Sequence, residues 1–509
     1  MEHILNGLIE VMSLYNLMVI LLSLLLGMIV GCIPGLTVTL GIILLLPLTY
    51  SFSSPSTALI ALLAVYVGGM YGGSISAILL NTPGTNSAIA TTFDGYPLAK
   101  KGKVKKALDV SLFASVVGGI IAALLLLFTS EPISRLVSSF TSTEYFALAI
   151  LGISLIAGVS GKNLSKGIIG GLLGIFISVI GLDSVTGVSR FSFNTMLFYQ
   201  GLTIMPAMIA FIALTQVMIK SRDFINTKGD LGDISKIDNE GITNKERKSI
   251  IPAILRSTGI ASIIGTMPGV CGGVAQFLCY NEVKRASKHP EEFGKGSLEG
   301  IAAAEASNNA IVGTAMIPLL TLGIPGDGVT AILLGAFILH GIIPGPTMFT
   351  KQATTAYAII FGILIANILL YFIGLIFTRQ VAKIVQVRYS YLGPLIMTFC
   401  FAGAFAANGS PNEVILMMGL LVISYILTKL DISVIPIMLG MILAHIMEQN
   451  FVNSMIIYNG DLLIFFKRPI SLVILILTAV LVWALMKVNR KVDKINQDQE
   501  EEVTTKCKV

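Results

Sequence analysis

Long apolar runs broken by short polar stretches succeed one another along nearly the whole chain. In the first part they fall at about 17–33, 36–50, 56–70, 107–129, 144–160, 165–182 and 196–219. After a polar interval they return at about 249–280, 354–377, 391–406, 412–428, 432–447 and 469–487. Several hold 17 or more residues without a charge, among them 354–377 and 470–486, enough for a helix to cross a bilayer. A transmembrane barrel would show alternating segments of about ten residues instead, and none is present. The pattern predicts an all-α polytopic membrane protein. Residues 1–16, with Glu2 and Glu10, read as an interfacial segment. Gly167, Gly170, Gly171 and Gly174 make a small-residue face on which another helix can pack closely.

The stretch after residue 70 is unlike the others. Residues 71–97 read YGGSISAILLNTPGTNSAIATTFDGYP, with Asn81-Thr82-Pro83-Gly84-Thr85 polar and helix-breaking between apolar flanks. Proline removes an N–H, and glycine costs about 1 kcal/mol against alanine within a helix. In lipid such a break survives only where protein or a water-filled cavity satisfies the freed backbone groups. The stretch therefore predicts a re-entrant hairpin whose tip faces something polar.

The second half repeats the pattern. Gly31-Cys32-Ile33-Pro34-Gly35 recurs as Gly265-Thr266-Met267-Pro268-Gly269, and the break at Pro83-Gly84 recurs at Gly323-Ile324-Pro325-Gly326-Asp327. The expected organisation is a first half, 1–219, with a hairpin at about 71–97, and a polar cytosolic linker, 220–248. A second half, 249–487, follows with a hairpin at about 305–346, then a charged cytosolic tail, 488–509. Loop charge predicts that the halves are inverted repeats. Residues 100–106 carry five lysines while their counterpart 342–351 has only Lys351; residues 50–55 have no basic side chain while 281–298 have Lys284, Arg285, Lys288 and Lys295. Under the positive-inside rule matching loops then lie on opposite faces, and Lys467-Arg468 alone falls outside.

Composition sharpens the class. Apolar residues make up 54% and charged residues 12%, with a mean hydropathy of +0.85, which excludes an ordinary soluble fold. The net charge of +6 is spread over loops, so no nucleic-acid partner is implied. Cys32, Cys271, Cys279, Cys400 and Cys507 form no CxxC and read as small buried hydrophobes. His3, His289, His340 and His445 have no metal-ligand spacing. The first lysine or arginine is Lys100, so the basic start of a cleavable signal is missing.

Glycine- and proline-interrupted segments at matching places in two halves point to a transporter's binding site. Backbone N–H groups at the start of a broken helix suit an anion. Asn81, Thr82, Pro83, Gly84 and Thr85 of the first tip, with Gly323, Pro325 and Gly326 of the second, are therefore the candidate substrate-binding residues, for a carboxylate. Carbonyl, Asn and Thr oxygens suit a small hard cation such as sodium. Gly35, Thr37, Asn308, Asn309, Thr321 and Glu305 are the candidates for it. Asn86 and Asp327 adjoin the tips, and no lysine or arginine lies within either. Glu305 shares a helix face with Asn308 and Asn309, where a purely structural hydrogen bond is the competing reading. Asp94 and Glu299 read as caps and His340 as a satisfied buried histidine. Glu448 and Asp461 are placed to orient the outer loop near Lys467-Arg468. No HExxH, GxSxG or paired-carboxylate motif argues for an enzyme, and no GxxxxGK[ST] for an ATPase.

In these residues the chain resembles the large membrane subunit, the TctA-type permease, of the tripartite tricarboxylate transporters. The likeness rests on Gly31-x-x-Pro34-Gly35-Leu36-Thr37, residues 71–85, Asp94-Gly95-Tyr96-Pro97-Leu98-Ala99-Lys100, Glu305-Ala306-Ser307-Asn308-Asn309, residues 318–326 and residues 340–346. It departs from the family at Ala303-Ala304, where Ala-Pro is usual, and at the acidic Asp327. The resemblance implies a permease importing tri- or dicarboxylates on a sodium or proton gradient, without a resident cofactor. It implies a small membrane subunit and an extracytoplasmic substrate-binding protein as partners, a bacterial or archaeal plasma membrane, and an elevator-type architecture. A homo-oligomer is compatible with it. The alternative reading is a stand-alone anion channel or carrier without a binding protein.

Overall fold

The structure is a computed structural model, and it describes residues 2–33, 36–137, 139–159, 164–182, 188–193, 195–199, 201–224, 240–267, 272–384, 389–480 and 482. The chain is helical almost throughout. It begins with α1 (Glu2–Val11), α2 (Leu14–Cys32), α3 (Val38–Thr49), α4 (Pro55–Leu80), α5 (Thr91–Lys100) and α6 (Val104–Val137). Then come α7 (Ser142–Val159), α8 (Leu164–Ser178), a two-residue antiparallel pair of β1 (Gly181–Leu182) and β2 (Ser189–Arg190), and α9 (Met196–Tyr199). α10 (Ile204–Met208) runs through one π-helical turn, Ile209–Leu214, into α11 (Thr215–Phe224). The second half holds α12 (Asn244–Gly265), α13 (Gly272–Ala286), α14 (Leu298–Thr314), α15 (Met316–Leu322), α16 (Gly328–Leu339) and α17 (Met348–Lys351). It ends with α18 (Ala353–Ile384), α19 (Tyr389–Asn408), α20 (Pro411–Lys429), α21 (Val434–Ile457) and α22 (Ile464–Lys467), followed by a further apolar helix, Pro469–Val480. Among the described residues six helices are long and apolar enough to cross a membrane: α2, α4, α6, the 353–378 part of α18, α20 and α21.

The expected spans reappear with shifted ends, and one division disappears. Residues 56–70 and the first arm of the hairpin expected from 71 are a single helix, α4, of 26 residues. Nothing between 70 and 71 breaks the backbone ladder; the break comes at Asn81. The run at 196–219 is the reverse case, divided into short helical pieces by the turn at Gly201 and the π-helical turn. Pro34, Gly35, Pro268 and Gly269, most of the expected linker (225–239) and the tail lie outside the described residues.

The chain forms two compact units, each drawn from both halves: 1–138 with 208–417, and 139–207 with 418–509. In the first, α4 is the central element, with every residue from Ser56 to Leu79 buried. It packs against α2 without intervening side chains. A Cβ on Gly27 or Gly31 would stand 2.3 or 2.2 Å from the carbonyl oxygen of Val65 or Gly69. One on Gly68 or Gly72 would stand 2.3 or 2.5 Å from that of Leu24 or Met28. Each helix thus carries a GxxxG pair, and lipid supplies no hydrophobic drive between helices beyond such packing. The same device seats α14 on α6, where a Cβ on Gly118 would meet the Ala306 carbonyl oxygen at 2.4 Å.

The second unit uses the small-residue face of α8. Gly174 lies against the Ile437 carbonyl and Gly440 against that of Gly171, so α8 and α21 touch backbone to backbone. Arg468, on the run after α22, forms an ion pair with the fully buried Glu144 of α7 at 2.7 Å and donates to the Tyr458 hydroxyl at 2.7 Å. Asp461 pairs with Lys467 at 2.6 Å, and Glu448 pairs with Arg190.

Candidate substrate and cation site

The Pro-Gly breaks at Pro83-Gly84 and Pro325-Gly326 have one backbone shape. α4 ends on Asn81 at φ 53°, ψ 24°, and α15 ends on Gly323 at φ 71°, ψ 21°. Each left-handed residue is followed by one residue, then Pro-Gly, then an extended N-cap: Thr85 at φ −130° in the first break, Asp327 at φ −151° in the second. Glycine adopts the left-handed conformation freely and asparagine tolerates it, which is why these two types stand at matching positions.

The first break folds back onto the helix it leaves. Gly84 N–H donates to the Gly73 carbonyl at 3.2 Å, and a Cβ on Gly84 would collide with the Gly31 carbonyl oxygen at 2.1 Å. Thr85 lies over Gly73, whose own Cβ would meet the Thr85 side chain at 2.7 Å. The second break reaches α4 through Asp327, which accepts the Tyr66 hydroxyl at 3.0 Å. Tyr66 and Gly73 are seven residues apart and share one face of α4, so two turns, about 10 Å along the axis, separate the two points of attachment.

On this stretch of α4, α14 brings up Asn308, the first of its paired asparagines. Asn308, fully buried, donates from Nδ2 to the Met70 carbonyl at 3.2 Å and to the Ser74 hydroxyl at 3.3 Å, while its Oδ1 has no partner. Asn309 is 1% exposed, and among the described residues it is the one side chain with two buried polar atoms unpartnered. The Thr85 hydroxyl is likewise buried and unpartnered. Leaving a buried polar atom unpaired costs about 1–3 kcal/mol. Such atoms are rare enough that each asks for an explanation, an ion or water among them. Asn308 and Thr85 both lean on the same turn of α4, residues 70–74.

The remaining candidates stand further along the same elements. Thr37 caps α3, and its hydroxyl lies 2.6 Å from Thr39 and 3.0 Å from Gln216 Oε1, just beyond the π-helical turn. Thr321 is buried and donates back to the Ile317 carbonyl at 2.7 Å. Glu305, fully buried, accepts from Thr91 and, at 3.0 Å, from Ser115. Gln276 ties Thr91 in turn to the Ala304 carbonyl. Asn81 and Thr82 are exposed, Pro83 and Gly323 half-buried, and Gly84, Pro325 and Gly326 buried. Asp327 accepts from Thr330 N–H at 2.8 Å, so the positive end of α16 already carries a carboxylate. His340 faces Thr49 at 2.8 Å.

Sequence reading missed Tyr66, Thr91, Ser115, Gln216 and Gln276. Gln276 had a signal, a lone amide within the apolar run GGVAQFLCY. The rest are ordinary hydroxyl or polar residues whose partners lie up to 261 positions away, as for Tyr66 and Asp327.

The profile of the tripartite tricarboxylate transporter TctA family matches residues 17–439, a span holding both breaks and the paired asparagines. The chain belongs to this family. It is 34% identical over 482 residues to an Agrobacterium vitis relative described as an uncharacterized 52.8 kDa protein in TAR-I ttuC' 3'region, covering 94% of this chain and 95% of the relative. A second Agrobacterium vitis relative, described as an uncharacterized protein in TAR-II ttuC' 3'region, is 36% identical over 236 residues, 46% of this chain and 98% of that protein. No solved structure matches the chain. As a TctA-family member the chain is a multi-pass membrane transporter protein of a family that is not enzymatic.

Proposed function

We propose that this TctA-family chain is the carrier subunit of a binding-protein-dependent secondary transporter, moving tri- or dicarboxylates inward on a sodium or proton gradient. The observation that carries the reading is the uncharged, acceptor-bearing group at the first break. There the buried Asn308 Oδ1 and Thr85 hydroxyl have no protein partner, and neither does the amide of Asn309 beside Asn308 on α14. Residues 81–85 with Gly323, Pro325 and Gly326 would receive the carboxylate, and Thr37, Asn308, Asn309, Thr321 and Glu305, with Gly35, the coupling cation. Because Asp327 occupies the second helix end, the substrate's charge is expected at the first break. The two breaks are proposed as re-entrant tips of inverted repeats, 1–219 and 249–487, that move as a carrier element by alternating access in the plasma membrane. A small membrane subunit and an extracytoplasmic substrate-binding protein complete the assembly.

The test is uptake of labelled citrate and succinate into proteoliposomes holding this chain, the small subunit and the binding protein, with and without a sodium or proton gradient. Uptake that needs a gradient and the binding protein is expected. Flux indifferent to both would favour the stand-alone channel or carrier.

A further inference from the structure

We propose that Asp94 is a positioning residue that locks the segment following the first break to the start of α14, so that the first break and the asparagine pair travel as one body during transport. The inference rests on the proposed site between Thr85 and Asn308-Asn309.

Asp94 lies on α5, is fully buried, and has four donors. Its Oδ1 accepts the backbone N–H groups of Gly294, Gly296 and Ser297 at 2.8, 2.9 and 2.8 Å, and its Oδ2 accepts the Tyr280 hydroxyl at 2.7 Å. Three amides converge because the loop takes left-handed turns at Gly294 (φ 84°) and Gly296 (φ 103°), the backbone concavity that receives anions. Gly300 completes the fit, since a Cβ there would stand 2.1 Å from Asp94 Oδ2. Capping does not account for this arrangement. α14 already has its own N-cap, Ser297, whose hydroxyl accepts the Gly300 N–H at 3.3 Å. The carboxylate comes from a segment 200 positions away and acts as a tether.

The tether is one of several along the same length of chain. Gln276 Oε1 accepts the Ala90 N–H at 3.0 Å, and its Nε2 donates to Thr91 and to the Ala304 carbonyl. Thr91 donates to Glu305, and Lys101 Nζ donates to the Lys295 carbonyl at 2.6 Å. Residues 90–101 are thus stitched to residues 276–305 from end to end. Thr85 stands just before the stitched segment and Asn308 just after its far edge. A carrier whose site is lined by both must keep their register while access alternates, and the stitching does that.

The experiment uses the complete reconstituted transporter with spin labels on the exposed positions Lys100 and Lys284, the native cysteines replaced by alanine. Pulsed electron–electron distances are taken in sodium alone and in sodium with citrate, alongside citrate uptake kinetics. One narrow distance, the same in both conditions, is expected for the parent. Asp94→Ala should broaden it and raise KM at least about tenfold, while Asp94→Asn, which keeps an oxygen for the three amides, should stay within about threefold. If Asp94→Ala does not fold, Tyr280→Phe, which removes one donor, should still raise KM about two- to threefold with a measurable broadening. A distance that changes with citrate in the parent, or Asp94→Ala and Tyr280→Phe chains with the parent's distance and KM and only less folded protein, would overturn the proposal. Should no carboxylate be taken up at all, the functional reading falls, yet the distances in sodium still decide whether Asp94 is the lock.

Discussion

Asn309 stands on α14 with both amide atoms buried and unpaired, and its neighbour Asn308 keeps one oxygen free. An apolar replacement of like shape removes the cost of the orphaned atoms, whereas truncation also opens a cavity. Asn309→Leu is therefore expected to abolish carboxylate uptake while leaving thermal stability unchanged or raised. Retained uptake with a lowered melting temperature would show the amide to be structural. Asn81 tests the backbone of the break. It sits at φ 53°, so Asn81→Gly should be close to neutral and Asn81→Val should cost about 1–2 kcal/mol, read by thermal unfolding. The sequence singled out Asn81, beside its Pro-Gly pair, and Asn308-Asn309, in the apolar run before the second break, because polar residues there have few other uses. It did not show that one would be exposed at a turn and the other two would be dry.

The element that decides the first unit is α4, and the sequence divided it. It ended one span at about residue 70 and began the hairpin at Tyr71, yet the glycines that follow in this helix are contact points. Gly68 and Gly72 face α2, and Gly73 makes room for Thr85. A glycine's role depends on what comes within about 3 Å of it, and a single sequence does not reveal that. Gly68→Leu is expected to destabilise the unit by about 3 kcal/mol or more, since the clash is with helix backbone. Loss of folded protein, followed by fluorescence-detected size exclusion after heating, would show it; a normal profile would mean that α2 and α4 can slide apart. The π-helical turn before Gln216 was equally hidden, because no residue type marks it.

Across the whole molecule the two halves are tied by polar contacts as well as packing. At the start of α12, before the apolar run from 249, the capping box of Thr243 and Glu246 meets Lys106 of α6 at 2.9 Å. Burial alone would raise the Glu246 carboxyl, but hydrogen bonds from the Thr243 N–H, Lys106 and the Thr243 hydroxyl hold it down at about 2. A carboxyl lowered on folding stabilises the fold above its unfolded value, about 4.3, and that stability disappears as pH falls toward about 2. Glu246→Gln should lower the melting temperature at pH 7, by the equivalent of about 1 kcal/mol or less because solvent reaches the pair, and the gap should close between about pH 4.5 and 2. A gap that stayed constant over that range would separate Glu246 from the effect.

By itself the sequence determined that this is an all-α membrane protein, that its apolar runs are interrupted by two matching pairs of Pro-Gly breaks, and which family it belongs to. Those properties follow from local composition: hydropathy sets where the chain crosses lipid, and proline and glycine set where a helix must stop. Only the tertiary structure decided that both breaks attach to one face of α4, that Asp94 belongs to the loop before α14, and that each compact unit is assembled from both halves. The Asp327–Tyr66 and Asp94 contacts join residues about 200 or more positions apart, and each unit brings together stretches equally distant in the chain. That is a property of packing, and no single stretch of the chain encodes it.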